Sequence, residues 1–217
     1  MAAVSRPVTP PAPASVLDLA PVIPVVVLDD AADAVPLARA LVAGGLPAIE
    51  ITFRTAVAPE AVRTIAREVP GAVVGAGTVL TPAQVNTAVA AGARFLVSPG
   101  WTDRLLTALR ASGLPFLPGV STASEVMALL ERGVTEMKFF PAEAAGGTRL
   151  LSALASPLPR ARFCPTGGIG PATAASYLAL PNVGCVGGSW MVPREVLRAG
   201  DWATVERLAR EAAALRR

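Results

Sequence analysis

The sequence contains no histidine and a single lysine, and both facts restrict the chemistry that the chain can perform. Without histidine, Ser-His-Asp and Cys-His nucleophilic catalysis are excluded, and the commonest ligand of transition metals is missing. We therefore expect no zinc-dependent reaction. We also expect that the chain binds no cofactor. Lys138 is the only lysine among 19 basic residues, so arginine serves wherever a general positive charge is sufficient.

Long apolar runs are also missing. Hydrophobic residues make up 53% of the 217 residues, but no run approaches the ~20 apolar residues that a membrane-spanning helix needs. Residues 1–13 lack the charged start and the apolar stretch of a secretory signal. We expect a cytoplasmic protein without a membrane partner, in which residues 1–13 form a flexible N-terminal extension and residues 14–217 a single domain.

The sequence also lacks a cluster of positive charge and has only two cysteines. The net charge of +3 comes from arginines that are spread along the chain, and none of them forms a basic cluster with aromatic residues. This distribution is typical of a solvated surface, so we expect no nucleic-acid partner. Cys164 and Cys185 lie inside predicted strands, where thiols are typical of a reducing compartment and need no disulfide.

What the sequence does contain is a repeated alternation of apolar runs and amphipathic stretches, which predicts parallel βα units. The predicted strands are Val22–Val27, Ala48–Thr52, Val73–Gly77, Phe95–Ser98, Phe116–Pro118, Glu136–Phe140, Arg162–Pro165 and Val183–Gly187. The predicted helices are Ala32–Ala43, Pro59–Val69, Pro82–Ala91, Thr102–Ala111, Ala123–Arg132, Thr148–Ala155, Ala172–Leu180 and Trp202–Leu215. Eight units without a hairpin signal favour a closed (β/α)8 barrel over an open doubly wound sheet.

Lys138 lies near the end of the sixth predicted strand, in the segment EMKFFP. Strand alternation places Lys138 and Phe140 on one face, and reactive groups of such barrels lie at the carboxyl ends of the strands. Apolar surroundings destabilise the charged form of an amine, which favours the neutral form that attacks a carbonyl. The alternative is a buried lysine that pairs with a carboxylate for structure alone.

Glu50 and Arg54 share one face with Thr52 at the end of the second predicted strand. We expect Glu50 to move protons during a reaction at Lys138, and Arg54 to bind a substrate carboxylate through two hydrogen bonds. The alternative is a structural ion pair between Glu50 and Arg54 that fills the barrel interior.

Two glycine-rich turns follow the seventh and eighth strands, in the segments PTGGIG and VGGSW. Backbone amides at such turns form the phosphate site of many barrels, although both segments also suit simple tight turns. Thr78 and Pro99 follow the third and fourth strands. Thr78 is a candidate for binding a carboxylate and Pro99 for lining the pocket, and either is also a common turn residue.

From about Ser15 onward, the chain resembles the 2-keto-3-deoxy-6-phosphogluconate (KDPG) and 4-hydroxy-2-oxoglutarate (KHG) aldolases. The resemblance is carried by the segments PVIPVVVL, LVAGGLPAIEITFRT, VGAGTVL, SPG, PGVST, MKFFPAEAAGG, FCPTGGI and GGSWMVP. It implies a class I aldolase with a (β/α)8 TIM barrel, no metal and a homotrimeric assembly. Such an enzyme splits KDPG, a keto-acid sugar phosphate, into pyruvate and glyceraldehyde 3-phosphate, and KHG is the expected side substrate.

The resemblance also implies a role for each candidate residue. Lys138 becomes the Schiff-base lysine and Glu50 the general acid–base. The substrate-binding residues that it implies are Arg54 and Thr78 at the pyruvyl carboxylate, Phe140 against the intermediate, Pro99 in the pocket wall, Thr166 at the substrate, and Gly167, Gly168, Gly188 and Ser189 at the phosphate. Phe53 and Ala145 depart from the leucine and asparagine usual in the family, and neither change removes a catalytic atom.

Three other functions suit parts of the same pattern. One is an aldolase of this fold that prefers the galactonate epimer of KDPG or unphosphorylated KHG. Another is a barrel that binds a sugar phosphate without catalysis. The third is a phosphoribosyl isomerase, which would have no need of a lone buried lysine.

Overall fold

The computed structural model describes residues 13–215, in which strands and helices alternate. The strands are β1 (Val22–Val26), β2 (Ala48–Thr52), β3 (Val73–Gly77), β4 (Leu96–Val97), β5 (Phe116–Leu117), β6 (Gly119–Val120), β7 (Glu136–Phe139), β8 (Arg162–Pro165) and β9 (Val186–Gly188). The helices are α1 (Ala34–Ala43), α2 (Ala58–Glu68), α3 (Pro82–Ala90), α4 (Asp103–Ala111), α5 (Ala123–Glu131), α6 (Gly147–Ala155), α7 (Pro171–Leu178), α8 (Arg194–Arg198) and α9 (Trp202–Ala213), with a 3-10 turn (Ala31–Asp33) before α1.

The predicted division into an extension (1–13) and a barrel domain (14–217) stays a prediction. Apart from Pro13, the extension lies outside the described residues, and so do residues 216–217 of the domain.

The strands close into a ring. They form one parallel sheet in the order β5-β4-β3-β2-β1-β9 and a second in the order β6-β7-β8. Parallel bridges from Phe163 to Val183 and from Thr166 to Gly187 join β8 to the segment of β9. On the other side, β5 leads directly through Pro118 into β6. The predicted (β/α)8 barrel is therefore confirmed.

The fifth strand of the barrel differs from its prediction, because it consists of two short pieces. The prediction ended it at Pro118, whereas the chain continues as β6 on the far side of that residue. Proline has no N–H with which to continue a ladder. The strand therefore changes partner there, since β5 pairs with β4 and β6 pairs with β7.

Every predicted helix is present, and its ends agree with the prediction within three residues. The prediction missed α8, whose five residues follow Pro193. A helix this short spans too few residues to show an amphipathic repeat. Within residues 13–215, every helix is too short or too polar to cross a bilayer.

Apolar side chains fill the amino-terminal end of the barrel interior. Val16 and Leu17 precede β1 and pack there with Phe95 in a cluster separate from the layer between sheet and helices. The ring of Phe95 takes the space beside Gly75, where an added Cβ atom would lie 2.4 Å from it. Because this end is closed, the open part of the interior is the carboxyl end.

Candidate active site

Lys138 on β7 and Glu50 on β2 meet inside the barrel from opposite walls. Nζ of Lys138 donates a hydrogen bond to Oε1 of Glu50 over 3.3 Å. Both residues are buried, with exposed fractions of 5% and 3%. Met137 and Phe139, on either side of Lys138, belong to the layer outside the sheet, as strand alternation requires. The carboxylate is thus in position to exchange a proton with the amine.

Glycines on the neighbouring strands β3 and β6 leave the space that Glu50 and Pro99 occupy. A Cβ atom at Gly77 of β3 would lie 2.1 Å from Oε1 of Glu50. At Gly119 of β6, which pairs with Lys138, a Cβ atom would lie 2.2 Å from the carbonyl carbon of Pro99. Heavy atoms that are not covalently bonded do not approach a Cβ atom this closely. Both strands therefore need glycine so that Glu50 and Pro99 can lie at the barrel mouth.

A cavity of about 460 Å³ opens at the same end of the barrel. The predicted site residues that line it are Arg54, Phe140, Thr166, Gly167, Gly168, Gly188 and Ser189. The ring of Phe140 connects the cavity to the ion pair, because its centroid lies 5.3 Å from Nζ of Lys138. Residues from several βα loops and strand ends thus converge on one space, as at the active sites of other barrels.

Four of the predicted site residues do not line this cavity: Lys138, Glu50, Thr78 and Pro99. Thr78 directly follows β3, and its φ of 54° makes it the one non-glycine residue with positive φ in the described part of the chain. Such a conformation is uncommon for a side chain branched at Cβ, and it is frequent at functional sites, where the surrounding structure enforces it.

Several further residues of the cavity wall were not predicted from the sequence. They are Val25, Val27, Ile169, Gly187, Val192, Pro193, Arg194 and Leu197. Arg194, the first residue of α8, matters most among them, because Arg54 and Arg194 are the two charged residues of the wall. None of the ion pairs found within residues 13–215 involves either arginine, so both are available to an anion. Pro193 and Arg194 directly follow the segment GGSWMV. This charged residue just after a glycine-rich turn was the signal that could have identified Arg194.

The contacts of Glu50 separate the two structural alternatives. Within the described residues, its ion-pair partner is Lys138 and not Arg54. A buried lysine–carboxylate pair is therefore present. A purely structural pair would need no adjoining cavity, whereas this pair lies next to a cavity lined by Arg54 and Arg194, neither of which has an ion-pair partner among residues 13–215.

The binding capacity of the site resides in its amine, its guanidinium groups and its glycine turns. No group of three or more cysteine or acidic side chains in residues 13–215 is arranged to hold a metal ion.

Comparison with known proteins now gives the family. The model of the aldolase family described as KDPG and KHG aldolase matches residues 14–208. The chain belongs to this family. Among its relatives, the KHG/KDPG aldolase of Escherichia coli K12 is 52% identical over 198 residues, which cover 91% of this chain and 93% of that protein.

Solved structures of the KDPG and KHG aldolase family have the same fold as this chain. The KDPG aldolase of Legionella pneumophila, with pyruvate captured at low pH as a covalent carbinolamine, matches with a TM-score of 0.89 and 46% identity over 91% of this chain and 96% of that one. The aldolase of Zymomonas mobilis ZM4 with 3-phosphoglycerate matches with a TM-score of 0.88 and 50% identity over 93% and 94%.

Proposed function

We propose that this chain is a class I aldolase that cleaves KDPG to pyruvate and glyceraldehyde 3-phosphate, with KHG as a second substrate. The observation that carries the proposal is the buried contact of 3.3 Å between Nζ of Lys138 and Oε1 of Glu50 at the mouth of the barrel. The relatives support it, because one is named KHG/KDPG aldolase and another holds pyruvate as a covalent carbinolamine.

The first half of the reaction forms the Schiff base. The amine of Lys138 attacks the C2 carbonyl of the substrate, and a proton passes from the nitrogen to the carbonyl oxygen to give a neutral carbinolamine. Glu50 donates the proton with which this hydroxyl leaves as water, which produces an iminium ion. Glu50 contacts the amine itself, so it can serve every proton transfer of this half directly or through one water molecule.

The second half breaks the carbon–carbon bond. Glu50 removes the proton of the C4 hydroxyl, the C3–C4 electron pair moves into the iminium ion, and the aldehyde leaves as glyceraldehyde 3-phosphate. The remaining enamine is protonated at C3, and water hydrolyses the resulting iminium ion to pyruvate and the free amine. The reaction has no net oxidation or reduction and needs no further reactant.

The cavity provides a position for each end of the substrate. Arg54 binds the carboxylate beside the reacting ketone. Thr78 and Pro99 lie outside the cavity wall, and we assign Thr78 as a second donor to the carboxylate and Pro99 to the side of the pocket near Lys138. Phe140 packs on the intermediate, and Thr166 contacts the substrate chain. At the phosphate end, the donors are the backbone amides of Gly167, Gly168, Gly188 and Ser189, joined by the guanidinium group of Arg194.

Reductive trapping tests the covalent step. The protein is treated with borohydride in the presence of pyruvate and digested, and the peptides are analysed by mass spectrometry. We expect the peptide that contains Lys138 to gain one pyruvate and two hydrogens with loss of one water. Lys138→Met should give neither an adduct nor turnover. An unmodified Lys138 in the wild-type protein would instead favour a binding protein without catalysis.

Turnover of three substrates tests the preference. KDPG, its galactonate epimer and KHG should be cleaved at different rates, with the highest kcat/KM for KDPG. Equal values for KDPG and KHG would refute the phosphate site, because KHG carries no phosphate.

Assembly and location are part of the same proposal. The family resemblance supports a homotrimer in the cytoplasm, and Leu80, Val89 and Met127 are large apolar side chains on the surface of the isolated chain. Sedimentation velocity of the purified protein should give the mass of three chains.

A further inference from the structure

A buried tyrosine on α7 binds a carboxylate that lies outside the cavity wall. The hydroxyl of Tyr177 donates to Oε1 of Glu143 over 2.5 Å, and 1% of Tyr177 is exposed. Glu143 lies in the loop between β7 and α6 and is itself exposed. A hydrogen bond to an ionised carboxylate is about twice as strong as one between neutral groups. This bond therefore fastens the loop after β7 to α7.

The loop that carries Glu143 is also bonded to the first glycine turn. The backbone N–H of Glu143 donates to the carbonyl of Gly167 over 3.1 Å, and that of Ala142 donates to the carbonyl of Thr166 over 2.8 Å. A Cβ atom at Gly168 would lie 2.6 Å from Cγ of Glu143. The side chain of Glu143 thus covers the α-carbon of Gly168 and limits the positions that this turn can adopt.

We propose that Glu143 and Tyr177 are positioning residues that hold the Gly167–Gly168 turn in the conformation that binds the phosphate. Neither residue lines the cavity, so both act through the turn. The inference rests on the proposed function, since it gives the turn a phosphorylated substrate to bind.

The hydroxyl of Tyr177 also controls where a negative charge lies. The atoms of Glu143 that face Gly168 are the carbons Cβ and Cγ, while the carboxylate is held by the phenol. The pKa of the Tyr177 phenol is raised above its usual range, mainly by burial and secondly by the hydrogen bond to Glu143. The phenol therefore remains a hydrogen-bond donor at neutral pH. Without the hydroxyl, the side chain of Glu143 loses its anchor on α7 and no longer restricts the Gly167–Gly168 turn.

Steady-state kinetics on two substrates test this inference. Tyr177→Phe removes only the hydroxyl, and we expect it to raise KM for KDPG about tenfold with little change in kcat, the loss typical of a charge-assisted hydrogen bond. The constants for KHG, which has no phosphate, should stay within about twofold of wild type. The ratio of kcat/KM for the two substrates therefore falls about tenfold.

Three further variants complete the experiment. Glu143→Ala should reproduce Tyr177→Phe without altering the buried core. Glu143→Gln should restore most of the wild-type ratio, because its amide oxygen still accepts from the phenol. Ser176→Ala, on the same helix, removes a hydroxyl that bonds to the carbonyl of Thr173 and should leave the ratio unchanged.

The outcomes are distinct. If the wild-type protein cleaves KDPG while Tyr177→Phe and Glu143→Ala lower kcat/KM equally for both substrates, or lower only Tm, this inference is overturned and the proposed function stands. A wild-type protein that cleaves neither substrate would overturn the proposed function and this inference with it.

Discussion

The two ends of the barrel both carry charged groups, but in opposite surroundings. At the carboxyl end, Lys138 and Glu50 are buried and contact each other beside an open cavity. At the amino end, Arg162 of β8 bonds to Asp18 over 2.7 Å and to Glu136 over 3.0 Å, where all three side chains reach solvent.

The interior behind each set of charges accounts for the difference. A cavity opens at the carboxyl end, where Gly77 leaves space for the side chain of Glu50, whereas Val16, Leu17 and Phe95 fill the amino end. Burying charges next to open space costs free energy of folding, and is worth that cost where a ligand uses them. Exposed ion pairs cost little and hold chain segments together. We infer that the carboxyl end serves catalysis and the amino end stability.

Among the substitutions that test this comparison of the two ends, Glu50→Gln has the largest expected effect. We expect kcat to fall by ~10²–10⁴, the contribution of a general acid–base, because the amide cannot transfer protons. The matched control is Glu136→Gln at the amino end, which should leave kcat unchanged. Comparable losses in the two variants would show that the ends do not differ in function.

Removing the lysine should also affect stability. Lys138→Met leaves Glu50 buried without its partner, so we expect the free energy of unfolding to fall by about 3–5 kcal/mol. In Lys138→Met/Glu50→Leu the charge is gone too, and the double variant should be at least as stable as wild type while remaining inactive. Urea denaturation measures both. A double variant as unstable as the single one would assign the pair a structural role.

Arg194 tests whether the charges of the mouth serve binding. In Arg194→Ala, we expect KM for KDPG to rise about tenfold, equivalent to about 1.4 kcal/mol, because the phosphate loses a guanidinium partner. KM for KHG should change much less. Arg198→Ala, one turn along α8, is the control, since Arg198 does not line the cavity that contains Arg54 and Arg194. Equal effects of the two substitutions would indicate only a general change of charge.

The smallest effect is expected at the amino end. Arg162→Ala breaks its bonds to Asp18 and Glu136, and we expect a loss of about 1 kcal/mol in the free energy of unfolding, with kcat unchanged. Arg39→Ala removes another exposed arginine and should lower stability less. A tenfold drop in kcat for Arg162→Ala would contradict the separation of roles.

Sequence patterns predicted the barrel and much of the site because both depend on alternation along single strands. The face shared by Lys138 and Phe140, and the inward position of Glu50, follow from a period of two. Contacts across the barrel do not. The choice of Lys138 rather than Arg54 as partner of Glu50 depends on which opposite strand a side chain can reach.

One physical reason explains why these residues were not predicted from the sequence. Arg194 begins a helix too short to show a repeat, and Tyr177 meets Glu143 across 34 positions of the chain. Neither relation has a periodic signal, because each arises only when separate loops converge. Closed packing at Phe95 was missed for the same reason.

The burial of Lys138 has a practical consequence for labelling the protein. Every other basic side chain is a guanidinium group. Lys138 and the α-amino group are therefore the amines with which acylating reagents can react. With 5% of Lys138 exposed, such reagents reach it only through the barrel mouth. Their reaction rate at this one side chain therefore reports directly on access to the pocket, and any bound ligand that covers the amine protects it.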